Sequence, residues 1–280
     1  MAKSEASVEF VIESETANLV DIKELWRYRE LLYFFSWRDV KIKYKQAVLG
    51  VLWALLQPVF MVLIFTFLFS NALKVPASEL PYTVYAFSGL LLWNLFSSGI
   101  NNANNSMVAS AQIIKKVYFP RLIIPFASVM SAAFDFIVAF ALYIVVLIYF
   151  GVEVNWLQLL YLWPCSIILA IIGTLGPSFL LSALTVKYRD FKYVVPFALQ
   201  VLFFLTPVIY SPTVFRHDWI QHIVSLNPIF AAIQLWRLPI EPLQVFKPEL
   251  ISTSIGSAIL FFFVGLLYFR KTERYFADLA

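Results

Sequence analysis

Asn94, Ser98, Asn101 and Asn105 step along the chain by four, three and four residues, the repeat of one helix face, with Ser97 and Asn104 beside them. In an apolar chain such a row offers donors and acceptors to a hydroxyl-rich cargo, hydrogen-bonds neighbouring helices, or marks a helix end emerging into water. Every one of these uses keeps the amides away from lipid, since an unsatisfied amide in hydrocarbon costs several kcal/mol. Aromatic rings able to stack on sugar rings recur at Tyr82, Tyr85, Trp93, Phe96, Phe203, Phe204 and Tyr210, and they join the row as candidates for lining a passage. Most of the other aromatic residues are read as lipid-facing.

Other chemistries lack their residues. No GxxxxGK[ST] occurs and the eight glycines are scattered, so the chain does not cradle ATP phosphates by that route. His217 and His222 are the only histidines; with Asp218 nearby they form no nucleophile constellation, and no metal site is expected. The single cysteine, Cys165, excludes an intrachain disulfide framework and a cysteine metal cluster. Asp135 is the lone acid inside a long apolar run. No Lys, Arg or His stands at a similar depth in the neighbouring runs, so it is expected without a cationic partner, and one isolated acid argues poorly for a proton relay.

The elements that position these residues begin with WRDVKIKYKQAVLGVLWALLQP, Trp37 to Pro58. Upstream of its apolar half, Trp26, Tyr33, Trp37, Val40 and Tyr44 recur at helical spacing, with Arg38, Asp39, Lys41 and Lys45 alongside. Residues 21–45 therefore read as an amphipathic helix lying along a membrane surface, its Arg38, Lys41 and Lys45 able to attract phosphate groups. Gln46 to Leu73 carries no charge, a 28-residue run against the roughly 20 needed to cross hydrocarbon.

Composition agrees: 61% of residues are hydrophobic and 14% charged, too apolar for a soluble globule. Runs at 46–73, 80–114, 122–152, 154–186, 193–215 and 250–269 predict an all-α polytopic membrane protein with six transmembrane helices, kinked at their internal prolines. Residues 1–20 and 273–280 read as tails flanking the helix at 21–45 and a six-span domain at 46–272. With six spans, seventeen Lys and Arg fall on one side and four on the other, which places both termini in the cytoplasm. Ser211 to Glu249 is too apolar for a solvated loop and too charged for a crossing. It reads as a re-entrant outer hairpin of two short helices broken at Asn227-Pro228, a candidate outer gate.

Two inner connections remain. One carries Lys115, Lys116, Tyr118, Pro120 and Arg121; the other carries Lys187, Arg189 and Asp190. Both anchor a positive-inside topology, and both are knobs on which a soluble partner could dock.

The order WRDVKIKYKQAVLGVLWALLQP, KKVYFPRLIIP, YRDFKYVVP and TPVIYSP resembles the membrane subunit of ABC-2 type polysaccharide exporters from about residue 20 to 272. The resemblance implies a non-enzymatic permease in a bacterial inner membrane, moving a lipid-linked polysaccharide, O-antigen before capsule or teichoic acid. It also implies a homodimer with two copies of a separate ATPase chain. ATP and Mg belong to that partner, no cofactor to this chain, and no nucleic acid is involved. By position, the helix at 25–45 and the loops at Lys115–Arg121 and Lys187–Lys192 would meet the ATPase. The rival readings are a drug or lipid exporter of the same class and an ion-coupled secondary transporter.

Overall fold

Apolar runs that must satisfy every backbone amide internally fold as helices, and the computed structural model contains helices and turns with no strand among the residues it describes, 26–45, 52–68, 80–215, 217–241, 247–273 and 276. Ten α-helices occur there: α1 Arg29–Lys45, α2 Leu52–Phe65, α3 Tyr82–Ala109, α4 Ala111–Ile114, α5 Ile123–Tyr149, α6 Trp156–Lys187, α7 Phe191–Leu205, α8 Asp218–Ser225, α9 Phe230–Arg237 and α10 Pro248–Glu273. Residues 1–20 of the first expected tail, 274–275 and 277–280 of the second (273–280), and 21–25 of the expected surface helix lie outside the described residues.

Four helices, α3, α5, α6 and α10, are long and apolar enough to cross a membrane. The first and fifth expected runs hold shorter apolar helices, and the first continues into residues outside those described. The fifth run, expected to continue to residue 215, stops as helix at Leu205, where Thr206 turns extended (ψ 136°) ahead of Pro207. At about 1.5 Å per residue, α7 reaches roughly 22 Å. Pro58, Pro164, Pro177 and Pro196 stay inside helices, whereas Pro207 lies beyond a break and not at a kink.

Helix α3 is the hub, packed against α2, α5, α6, α7 and α9. Small residues bring the long helices together. A Cβ built on Gly265 of α10 would lie 2.1 Å from the Gly176 carbonyl oxygen of α6, and one on Gly99 of α3 would lie 2.6 Å from Thr174 of α6. These are the backbone approaches that membrane helices use where no hydrophobic force drives association. Aromatic rings fill the space around α9, with Trp163 and Trp236 stacked at 4.4 Å and Phe136, Phe140 and Tyr143 around them.

Helix α1 lies against α5 by the second half of the expected face, Trp37, Val40 and Tyr44, with Phe35 added. Phe35 and Val40 are buried, whereas Trp26 and Tyr33 are exposed. Phe35 meets Phe119 at 5.6 Å, and Trp37 and Tyr44 meet Phe134 of α5. The expectation for Asp135 is corrected by the same packing: Lys43 and Tyr44 both donate hydrogen bonds to its carboxylate. Chain order hides this pairing, because the two elements are more than 90 residues apart and meet only when α1 crosses α5. Burial, and then Asp135 itself, push the Tyr44 hydroxyl well above its ordinary pKa, so it stays protonated and donating.

Candidate functional site

The polar row of α3 occupies the helix's second half. Asn94, Ser97, Ser98, Asn101 and Asn105 are half-buried and share one side with a free edge, while Asn104 is fully buried. The Asn105 side chain donates to the Asn101 carbonyl at 3.1 Å, and Asn101 Oδ1 is buried with no hydrogen-bond partner among the described residues. Beside the start of the row, rings pack on another side of α3: Trp93 lies 5.5 Å from both Phe96 and Phe203, and Phe203 lies 5.8 Å from Phe65 of α2 and 5.3 Å from Phe204. Helices α2, α3 and α7 thus converge on an aromatic cluster, beyond which the amides continue along α3. Phe203 meets α3 through Trp93, and Phe203 and Phe204 keep part of their rings exposed.

Tyr82 and Tyr85 do not. Both are buried, Tyr82 donating to the Ile209 carbonyl at 2.9 Å and Tyr85 accepting from Arg237 at 2.8 Å. Each polar tip has a protein partner and each ring sits inside the bundle, so these two do not border the free edge of α3.

The two basic connections gather at the end where α3 stops and α7 begins. Lys115, Lys116 and Tyr118 are exposed, Tyr118 at 81%. Pro120 is buried, and Arg121 bonds Glu273 at the end of α10 through its backbone N–H (3.1 Å) and its guanidinium. Lys187, Arg189 and Asp190 all face solvent. Sequence position groups Asn104 with the polar row, but its amide spans the second connection instead: it donates to the Phe191 carbonyl at 3.3 Å and accepts from the Thr185 hydroxyl. Asn104→Ala would remove a donor from that carbonyl and leave the Thr185 hydroxyl with the Leu181 carbonyl (2.9 Å) as its acceptor, at about 1 kcal/mol. A lower melting temperature for the purified variant, together with faster proteolysis between residues 185 and 191, is the expected result.

At the opposite end, α8 and α9 are two short helices separated by Leu226–Ile229, as expected from Asn227-Pro228. Asn227 donates to Thr206 Oγ1 at 2.6 Å and accepts from the Ile229 N–H at 3.2 Å, while Ser254 of α10 donates to its carbonyl at 2.9 Å. The break is therefore fully bonded into α7 and α10. Lys247 bridges Asp218 (3.0 Å) and Gln221 (2.9 Å) of α8, and its ammonium holds the exposed Asp218 carboxyl below the usual carboxylate range.

Arg237, the last residue of α9, registers in the sequence only as a charge too costly for a crossing. It is fully buried, and its guanidinium donates to Ser88 Oγ (2.9 Å), Tyr85 Oη (2.8 Å), and the carbonyls of Pro207 (3.2 Å), Tyr85 (3.2 Å) and Val208. The break at Thr206-Pro207 frees the carbonyls that it takes up. Gly89 makes the room: a Cβ there would lie 2.0 Å from the Val208 oxygen and 2.5 Å from the guanidinium. A lone arginine a few residues after an apolar stretch is the only trace of this in the sequence.

A bundle of long apolar helices around a half-sheltered amide row, with charged knobs at one end and bonded half-helices at the other, defines a polytopic membrane protein of the transport class. The chain belongs to the ABC-2 type transporter family, matching it over residues 30–239. It is 31% identical over 254 residues to the O-antigen export system permease protein RfbA of Klebsiella pneumoniae, covering 89% of this chain and 95% of that protein. To the protein of the same name in Myxococcus xanthus it is 27% identical over 217 residues, 77% and 82% of the two chains. The polysialic acid transport protein KpsM of Escherichia coli is 22% identical over 245 residues, 85% and 91% of the two chains.

Proposed function

We propose that this chain is the membrane-spanning subunit of an ATP-driven exporter that moves a lipid-linked polysaccharide, O-antigen in the first place, across the cytoplasmic membrane of a bacterium. The observation that carries the reading is its likeness, over nearly its whole length, to proteins named as O-antigen export permeases. Two copies of the chain pair with two copies of a separate ATPase. Each copy crosses six times, with α2 and α7 completing the count and both termini in the cytoplasm; α8 and α9 form the re-entrant hairpin on the outer side. The conduit runs along Asn94, Ser98, Asn101 and Asn105, with Phe203 and Phe204 at its aromatic constriction. Tyr82 and Tyr85 belong to the supporting bundle.

Closure of the ATPase can drive transport only if it binds the permease differently in the two conduit states. The exposed basic knobs are the surfaces available for that grip. Arg189→Glu is the sharper test of docking, because Arg189 is exposed whereas Arg121 is tied to Glu273. The variant is expected to reach the membrane in normal amount, to lose co-purification of the ATPase, and to cut surface polymer tenfold or more. Normal export would remove the docking role; loss of some other exported compound, with polymer intact, would remove the polysaccharide.

A further inference from the structure

Beside its contact with α5, helix α1 carries a groove of about 360 Å³ lined by Phe34, Trp37, Arg38, Lys41, Ile42 and Lys45. Arg38, Lys41 and Lys45 follow one another by three and four residues, so their charges form a single stripe roughly 10 Å long. Arg38 shares its charge with Asp39 at 2.8 Å, whereas Lys41 lies over the Trp37 ring at 5.7 Å. Between the charges, Phe34 (63%), Trp37 (42%) and Ile42 (65%) are exposed. A soluble anion or an acidic protein would meet the lysines and gain little from these side chains. The headgroup layer of a bilayer uses both, since aromatic and aliphatic side chains sit among the upper acyl segments while lysines reach the phosphates.

Position along the chain argues for the same depth. Lys45 is the last charge before the uncharged run Gln46 to Leu73, and α2 opens at Leu52. Lys43 and Tyr44 on Asp135, and Trp37 on Phe134, tie the helix to α5 and so set the direction of the groove. We propose that this groove is a binding site for the phosphate-bearing head of an anionic membrane lipid, with the phosphate at Lys41 and Lys45 and the upper chain against Trp37 and Ile42. The site does not depend on what the protein exports.

The test uses the full chain, purified in neutral detergent and titrated with dioctanoyl phosphatidylglycerol, dioctanoyl phosphatidylcholine or inorganic phosphate, with retained ligand read by native mass spectrometry. The parent protein is expected to retain the glycerol lipid and neither of the others, a comparison that needs no variant. At about fivefold per charge, Lys41→Gln with Lys45→Gln should weaken retention about 25-fold. Arg27→Gln with Arg29→Gln, removing equal charge at and just before the start of the helix and outside the groove, should leave retention unchanged. Equal retention of the choline lipid, displacement of the lipid by inorganic phosphate, undiminished binding by the lysine pair, or equal weakening by the arginine pair would each overturn the proposal.

Discussion

Replacing Arg237 by methionine is expected to destabilise the folded chain by about 3–5 kcal/mol, the cost of leaving several buried acceptors short of a donor at about 1–3 kcal/mol each, partly relieved by relaxation. The loss follows from what remains: the Tyr85 and Ser88 hydroxyls and the carbonyls of Tyr85, Pro207 and Val208 all lose a donor in a site with no exposed surface at Arg237. Lysine should not rescue, because an ammonium is one point with three donors and cannot span acceptors arranged around a planar fork. Gly89→Ala should reproduce much of the defect from the other side of the contact, since its Cβ would displace the Val208 carbonyl and the guanidinium together. Thermal unfolding in detergent, followed by the loss of monodisperse elution, reads both. A methionine variant that melts with the parent protein would show that the guanidinium is dispensable to the fold.

Gly265→Val should be comparably damaging, at about 3 kcal/mol or more, since overpacking costs a few kcal/mol even where side chains can move. Here the obstacle is backbone. A Cβ at Gly265 would stand 2.1 Å from the Gly176 oxygen, and one at Gly176 would stand 2.5 Å from the Phe262 nitrogen, so α6 and α10 must separate along their length. Helix α10 supplies its own control in Gly256, whose added Cβ meets nothing within 4 Å. Gly256→Ala should fold as the parent does or slightly better, given alanine's higher helix propensity. Equal expression and melting of the Gly265→Val and Gly256→Ala variants would disprove the tight crossing.

The long helices were legible because their signal is local: uncharged runs of sufficient length admit few other structures in lipid, and α3, α5, α6 and α10 each fall within or across one. The break at Asn227-Pro228 was legible for a similar reason, through the restriction that proline places on its predecessor. Partnerships between distant elements were not. Asp135 stands isolated in the sequence because depth along the chain carries no sign that α1 packs on α5 at that residue. Tyr82 and Tyr85 looked like passage lining because aromatic type says nothing about which way a helix is turned; the two bonds that orient them come from Ile209 and Arg237. The stripe through Trp26 and Tyr33 missed Phe35 because that helix has apolar side chains on several faces, and only the position of Phe119 selects one.

The separation between Tyr85 and Arg237 sets an order of events during synthesis. The arginine leaves the ribosome 152 residues after the tyrosine it bonds, a delay of roughly 8–30 s at 5–20 residues per second. Throughout that interval the notch at Gly89 of α3 has no guanidinium to fill it. A message truncated between codons 110 and 236 therefore encodes α3 with its notch and lacks the arginine that fills it.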